Sequence, residues 1–287
     1  VLATHYHQDH MGSFEESYGT AGNGYCNTGV MAVFGELPFK KLVDRQKDQA
    51  PSTSSYSASL WPSYKQFAEY AEERYGMEWF RFNVSPDNRQ KQFVPKYDKS
   101  YDLTVSNLGV SGYYWNGEEF SYRSTSNENE SSAQILISYG PFDYYTGGDC
   151  NTHYAEGTIM TGIADGIGRH IEAMKAGHHL YGNTMNGDVA GKLQPKVVVA
   201  QVLDNEKPGN PALAYYADHA DIFCTNIHSS LTGESSIMSH IKDYNGHIMI
   251  RVVDGGERFY VYKLRDTDLS YKVEASYGPY ESYTDNQ

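Results

Sequence analysis

Apolar residues gather into short runs in the second half of the chain and into one helical stripe in the first. Ala133 to Tyr139, Lys196 to Val202, His247 to Val253 and Arg258 to Leu264 have strand length and are rich in β-branched and aromatic residues. The pattern predicts strands there, with Asp254-Gly255-Gly256-Glu257 closing the last two into a hairpin. Between them Glu156 to Lys175 and Ala212 to His219 read as helices. Earlier, Tyr64, Phe67, Ala68, Ala71 and Tyr75 recur at helical spacing between Pro62, suited to a first turn, and Gly76, suited to a helix end. Asp102 to Val105 reads as a strand, and Gly112 to Glu130 is too polar and irregular to assign beyond a loop or hairpin. Gly12 to Gly35, rich in Gly, Asn and Ser, reads as a long loop. The tail after Ser270 is polar and tyrosine-rich and reads as a surface extension or a disordered segment. Strands alternating with helices, then an antiparallel end, predict one layered α/β domain over residues 1–270 with a polar extension over 271–287. Val1-Leu2-Ala3 reads as the buried end of a strand whose beginning is missing, so the chain is expected to be N-terminally incomplete.

Charge narrows the partners. With 23 basic and 36 acidic residues the net charge is −13, which repels nucleic acid and anionic membranes, so extended nucleic acid is a disfavoured partner. No apolar run approaches the length of a membrane span. Cys26, Cys150 and Cys224 make no paired-spacing zinc motif, and their odd number leaves at least one thiol free in a monomer. The 26 tyrosines, with abundant Asn, Ser and Gly, are compatible with an extracellular protein.

The chemistry concentrates at the start. Thr4-His5-Tyr6-His7-Gln8-Asp9-His10 places three imidazoles and a carboxylate within six residues, directly after an apolar strand end. Zinc takes such nitrogen and oxygen ligands. In a strand His5 and His7 point the same way, and a turn at Gln8 brings Asp9 and His10 round to the same centre, a geometry suited to two adjacent metals.

This segment resembles the HxHxDH motif of metallo-β-lactamase-fold hydrolases. The resemblance implies an αββα sandwich, here lacking its N-terminal strands, with residues 36–130 as an insertion. It assigns His5 and His7 to one metal and Asp9 and His10 to the other. Ala133 to Tyr139, leading through Pro141 to Thr146-Gly147-Gly148-Asp149, is similar to the family's strand and Gly-Asp element, which makes Asp149 the bridging carboxylate. Met174-Lys175-Ala176-Gly177-His178-His179 resembles the Lys-x-x-His-His segment of the subgroup related to the DNA-uptake protein ComEC and to phosphorylcholine esterases. On that likeness the doublet supplies a ligand, assigned to His178, and a donor to the transition state, assigned to His179; spacing does not separate the two roles. Asn127 and Ser131-Ser132 before the strand also fit the subgroup. Two departures stand out: no histidine lies between His10 and His153, where a third ligand usually falls, and Leu180 follows the doublet in place of Gly.

Two divalent ions, zinc first with manganese or iron as alternatives, would hold a water, lower its pKa to near ~7 and leave a hydroxide for attack, with Asp9 or Asp149 orienting it. The subgroup implies a phosphoester or phosphodiester, and the acidic chain suits a small substrate or a cationic head group. Competing readings are cleavage of a lactone, ester, amide or glycosidic bond, and a non-catalytic binding module on a decayed hydrolase fold. Tyr113-Tyr114-Trp115 is a candidate stacking surface for a sugar, base or choline. His153 and His228 are reserve ligands. A sheet edge left open by missing strands is one that a second copy of the chain can cover.

Overall fold

The computed structural model describes residues 1–12, 24–47, 50–51, 55–84, 103–150, 158–182, 184–203, 207–253 and 255–284. The strands are β1 (Leu2–Ala3), β2 (Lys41–Asp44), β3 (Glu78–Arg81), β4 (Leu103–Val110), β5 (Tyr113–Trp115), β6 (Phe120–Tyr122), β7 (Gln134–Tyr139), β8 (Phe142–Thr146), β9 (Ala173–Lys175), β10 (Val197–Ala200), β11 (Asp221–Cys224), β12 (Ile241–Tyr244), β13 (His247–Val252), β14 (Arg258–Leu264) and β15 (Val273–Glu281). The α-helices are α1 (Gln8–Met11), α2 (Gly29–Glu36), α3 (Ser55–Tyr75), α4 (Thr158–Ile167), α5 (Gly187–Leu193), α6 (Asn210–Tyr216) and α7 (Ser235–Met238).

Among the described residues the strands form three sheets. The large one has the order β12-β11-β10-β9-β8-β7-β4-β5-β6. It is parallel from β12 to β8 and antiparallel from there to β6. Val197-Val198-Val199-Ala200 of β10 is buried at every position, as a central parallel strand covered on both faces requires. On one face Val198, Ala200, Ile222 and Met174 meet Ile163 of α4, Val189 of α5 and Leu213 of α6. On the other, Val197, Val199 and Phe223 lie under Phe259 and Val261 of the antiparallel β13-β14-β15 sheet. Farther along that face Val110 and Ile135 pack on Val43 and Phe82, which belong to or directly follow the small parallel sheet β1-β2-β3. Helices α2 and α3 cover the far side of the small sheet, where Met31, Phe34, Phe67 and Ala71 enclose Leu42 and Trp79. The result is a mixed α/β fold in which a large mixed sheet is enclosed by helices and smaller sheets.

Several elements differ from the sequence expectation, each for a local reason. Helix α3 begins at Ser55 and carries Pro62 inside it. An interior proline removes one hydrogen bond at roughly 3 kcal/mol, and the fully buried stripe of Leu60, Tyr64, Phe67, Ala68 and Ala71 offsets this. Its end is as read: Gly76 sits at φ +65 and Met77 N–H returns to Ala71 O at 3.2 Å. Ala173–Lys175 is a strand where a helix was expected. Gly168 ends α4 at φ +66, and the apolar run beyond it is buried between β8 and β10, a setting whose periodicity does not distinguish helix from strand.

The loop expected over 12–35 contains most of α2, and the unassigned 112–130 stretch contains the β5–β6 hairpin. The tail after Ser270 is strand β15, because Tyr277 and Tyr280 turn inward onto Phe223 and Phe259, at 5.1 and 4.9 Å between ring centroids. β2 and β3, short and unforeseen, complete the small sheet beside β1. Asp102 and Asp254 lie outside the described residues. Cys26, Cys150 and Cys224 are buried and not joined in a disulfide. Among the described residues no helix is long and apolar enough to cross a membrane.

Candidate metal centre

The histidine segment bridges two sheets. β1 ends at Ala3, and the next carbonyl, Thr4 O, accepts from Ala133 N at 2.8 Å, tying the segment to the start of β7. Tyr6 N then donates to Glu128 Oε1 at 2.9 Å. That carboxylate is gripped by Arg45 through Nε at 2.5 Å and Nη2 at 2.7 Å, and the guanidinium lies 4.5 Å over the Tyr6 ring. Extended backbone alternates its side chains, so Tyr6 enters the core while His5 and His7 share the other side. His5 Nε2 and His7 Nδ1 are 3.2 Å apart, and His5 is fully buried. His7 then caps α1, whose buried Met11 anchors a single turn carrying Asp9 and His10. Gly12 ends it at φ +109, where an added Cβ would lie 2.7 Å from the Gly29 backbone.

Asp149 arrives from the end of β8. The turn before it needs Gly148, at φ +56, because a Cβ there would meet Thr4 Oγ1 and Ser132 Oγ at 2.8 Å each. Ser132 Oγ accepts from Asp149 N at 3.1 Å and fixes the turn. Asp149 is 1% exposed. Its Oδ2 lies 3.1 Å from His10 Nε2, 3.2 Å from His179 Nε2 and 4.0 Å from His5 Nε2. Lys175 Nζ stands 3.5 Å from Oδ1.

His179 reaches the cluster by a backbone device. His178, His179 and Leu180 all adopt positive φ, at 42°, 56° and 61°. A left-handed residue other than glycine costs about 1–2 kcal/mol, and three in succession are held by one turn bond and one bond from a distant segment. Tyr181 N donates back to His178 O at 2.9 Å, and Gly209 N to Leu180 O at 2.7 Å. His179 Nδ1 donates to Gln201 O at 2.6 Å, which leaves Nε2 facing Asp9 Oδ2 and Asp149 Oδ2, each at 3.2 Å. It is therefore His179 rather than His178 that the turn brings to the carboxylates. His178 Nε2 lies 3.4 Å from Asn129 Nδ2, with its ring 5.4 Å from that of Tyr181.

The electrostatics follow from burying charge around charge. Burial pushes His5 well below the ordinary imidazole range, and the neighbouring His10 adds to this. Burial also lowers His178, to about 4. For His179 burial acts the same way, but hydrogen bonds to Asp149 and Asp9 outweigh it and lift the group to about 9. Burial opposes the charge on Asp149 and Asp9. In both, the imidazole partners, with Lys175 helping Asp149, outweigh burial and hold the carboxyl well below its usual range. Lys175 is lowered by burial, with Asp149 restoring part of the shift.

These residues fit a divalent cation. The ligand atoms of Asp9, His10, Asp149 and His179 all lie within 4.8 Å of one another. His10 Nε2 is buried and, although close to Asp149, has no aligned hydrogen-bond partner among the described residues. A desolvated lone pair aimed at two carboxylates is what a cation between them satisfies, and imidazole with carboxylate is a zinc-type donor set. The Nδ1–H of His179 on a backbone carbonyl is the usual support for a ligating imidazole. His5 adjoins this group, its Nε2 4.0 Å from Asp149 Oδ2 and its ring 4.1 Å from that of His10, and His7 lies beyond it.

The aromatic triplet lies elsewhere. Tyr114 fills the space over Gly162 of α4, where a Cβ would be 2.3 Å from its ring, and Trp115 sits against Gly166. Tyr113 is partly exposed beside Tyr122, at 4.7 Å between ring centroids. Of the reserve histidines, His153 lies outside the described residues, and His228 Nδ1 pairs with Ser230 Oγ at 2.8 Å on an exposed turn. Sequence reasoning gave no role to Lys175, Gln201, Arg45 or Glu128. The place of Lys175 at the head of the Lys-x-x-His-His segment was the one visible signal among them.

No protein-family model matches the chain, and no curated protein sequence matches it. Among solved structures it is similar to a protein of Parabacteroides distasonis described as a metal-dependent hydrolase, with 12% sequence identity, a TM-score of 0.33, and coverage of 66% of this chain and 77% of that one.

Proposed function

We propose that the chain is a metal-dependent hydrolase of the metallo-β-lactamase type, acting on a small phosphoester or phosphodiester. The observation that carries the reading is the convergence of Asp9, His10, Asp149 and His179 within 4.8 Å, in the chain order that the motif resemblance implies. The flanking helices and inner sheets agree with an αββα plan, and His5 with His7 beside the shared Asp149 oxygen supports a second cation. When bound there, zinc, manganese or iron supplies Lewis acidity and makes water more acidic.

The chain's own groups do the rest. Asp149 is the carboxylate common to both groups of imidazoles. Asp9, 51% exposed, faces solvent from the same cluster and is placed to orient an incoming water. Gln201 O keeps the proton of His179 on Nδ1. His178 stands outside the ligand group, its Nε2 beside Asn129 Nδ2. The net charge of −13 favours a small substrate or one with a cationic head over a long polyanion.

Metal analysis of the purified protein, with turnover of bis-nitrophenyl phosphate, phosphorylcholine, a lactone and a glycoside, tests this. Asp149→Ala is expected to lose metal and activity together. Wild-type protein holding less than about one equivalent of metal after reconstitution would favour a binding module instead. Turnover confined to a substrate without phosphorus would replace the substrate class.

A further inference from the structure

We infer that Lys175 is a positioning residue for the metal centre, holding one oxygen of Asp149 so that the other is turned to the imidazoles. The inference rests on the metal-dependent reading above. A buried aspartate can present either oxygen to its neighbours, since rotation about Cβ–Cγ exchanges them. Here the two oxygens have different surroundings: His10, His179 and His5 lie near Oδ2, and Lys175 near Oδ1.

The lysine is itself fixed. Nζ donates to Gly148 O and to Ala176 O, both at 2.9 Å, so two of its three N–H groups are directed by backbone and the third is left for Asp149. One carbonyl belongs to the residue before Asp149, the other to the residue after Lys175. The ammonium therefore ties the ends of β8 and β9 and sets the carboxylate in one act. At 3.5 Å it biases Asp149 without drawing it from the cluster. A neutral side chain in its place would remove the ammonium that stands on Oδ1 and with it the positive charge that balances Asp9 and Asp149.

The experiment titrates Co²⁺ into metal-free wild-type protein and Lys175→Met, reading affinity and the visible ligand-field spectrum, with the thermal midpoint of each metal-free protein alongside. Lys175→Met is expected to bind Co²⁺ at least about tenfold more weakly, as loss of a group supporting a ligand does, and to show an altered spectrum. Lys175→Arg, which keeps the charge, should recover part of the affinity; no recovery would assign the loss to packing and overturn the inference. Should Lys175→Met fail to fold, Lys175→Gln, which retains a donor for Gly148 O, carries the same comparison. A folded neutral variant with wild-type affinity and spectrum overturns the role of Lys175 alone, whereas wild-type protein that takes up no Co²⁺ overturns the metal reading beneath it.

Discussion

Glu128 touches no imidazole, yet the histidine segment hangs from it. Its carboxylate takes the Tyr6 N–H and two N–H groups along one edge of the Arg45 guanidinium, with all three groups out of solvent. Removing one partner of a buried ion pair leaves the other charge uncompensated, at about 3–5 kcal/mol. Glu128→Ala should therefore lose stability of that order in urea unfolding and bind metal more weakly, because the Tyr6 peptide between His5 and His7 is released. Coincident unfolding midpoints for variant and wild type would show that the pair carries no such load. At this scale the sequence was legible where chemistry is local: His5, His7, Asp9 and His10 sit within six positions, and Asp149 follows two glycines. It was not legible where a role depends on a backbone angle or a distant partner. The choice between His178 and His179 turns on three consecutive left-handed residues, and Lys175 acquires its meaning from the carbonyls folded over it.

Between elements, α4 lies close against β5. Gly162 and Gly166 face Tyr114 and Trp115, and a Cβ on Gly166 would lie 2.5 Å from the Trp115 carbonyl oxygen. Backbone cannot yield there as a side-chain tip can, so Gly166→Ala should destabilise by about 1–3 kcal/mol, the range for overpacking. Tyr114→Ala should likewise lower the thermal midpoint and leave the Michaelis constant unchanged. A shifted Michaelis constant with intact stability would return the triplet to the substrate. An aromatic triplet reads the same in sequence whether it stacks on a ligand or packs on a helix, which is why both readings stood open there. The seven-residue apolar run Lys196 to Val202 around β10 and the β13–β14 hairpin were legible because their patterns need no partner to interpret. Short strands such as β2, β3 and β9 were not, since three or four residues carry no period and become strands by being paired.

Across the whole molecule, Glu172 joins three distant stretches. Its oxygens accept from Asp143 N at 2.6 Å and Tyr283 N at 2.7 Å, fastening the start of β8 and the end of the chain beside β9. Burial pushes its carboxyl up to about 7, against the two hydrogen bonds. A carboxyl raised on folding contributes stability that is complete below the ordinary glutamate value and disappears as pH rises through about 7. The thermal midpoint should fall between pH 5 and pH 8, and Glu172→Gln should flatten that fall; equal slopes would remove Glu172 as its source. The layered α/β character was legible from the succession of strands and helices, but the order of nine strands in the large sheet was not, because it is decided by crossovers. The contact between His179 and Asp9 spans 170 positions of chain, and that between Tyr6 and Glu128 spans 122. Closures of that length are slow and come late in folding. Cation uptake in a refolding reaction should accordingly trail the gain of secondary structure, making metal capture the last clock to stop.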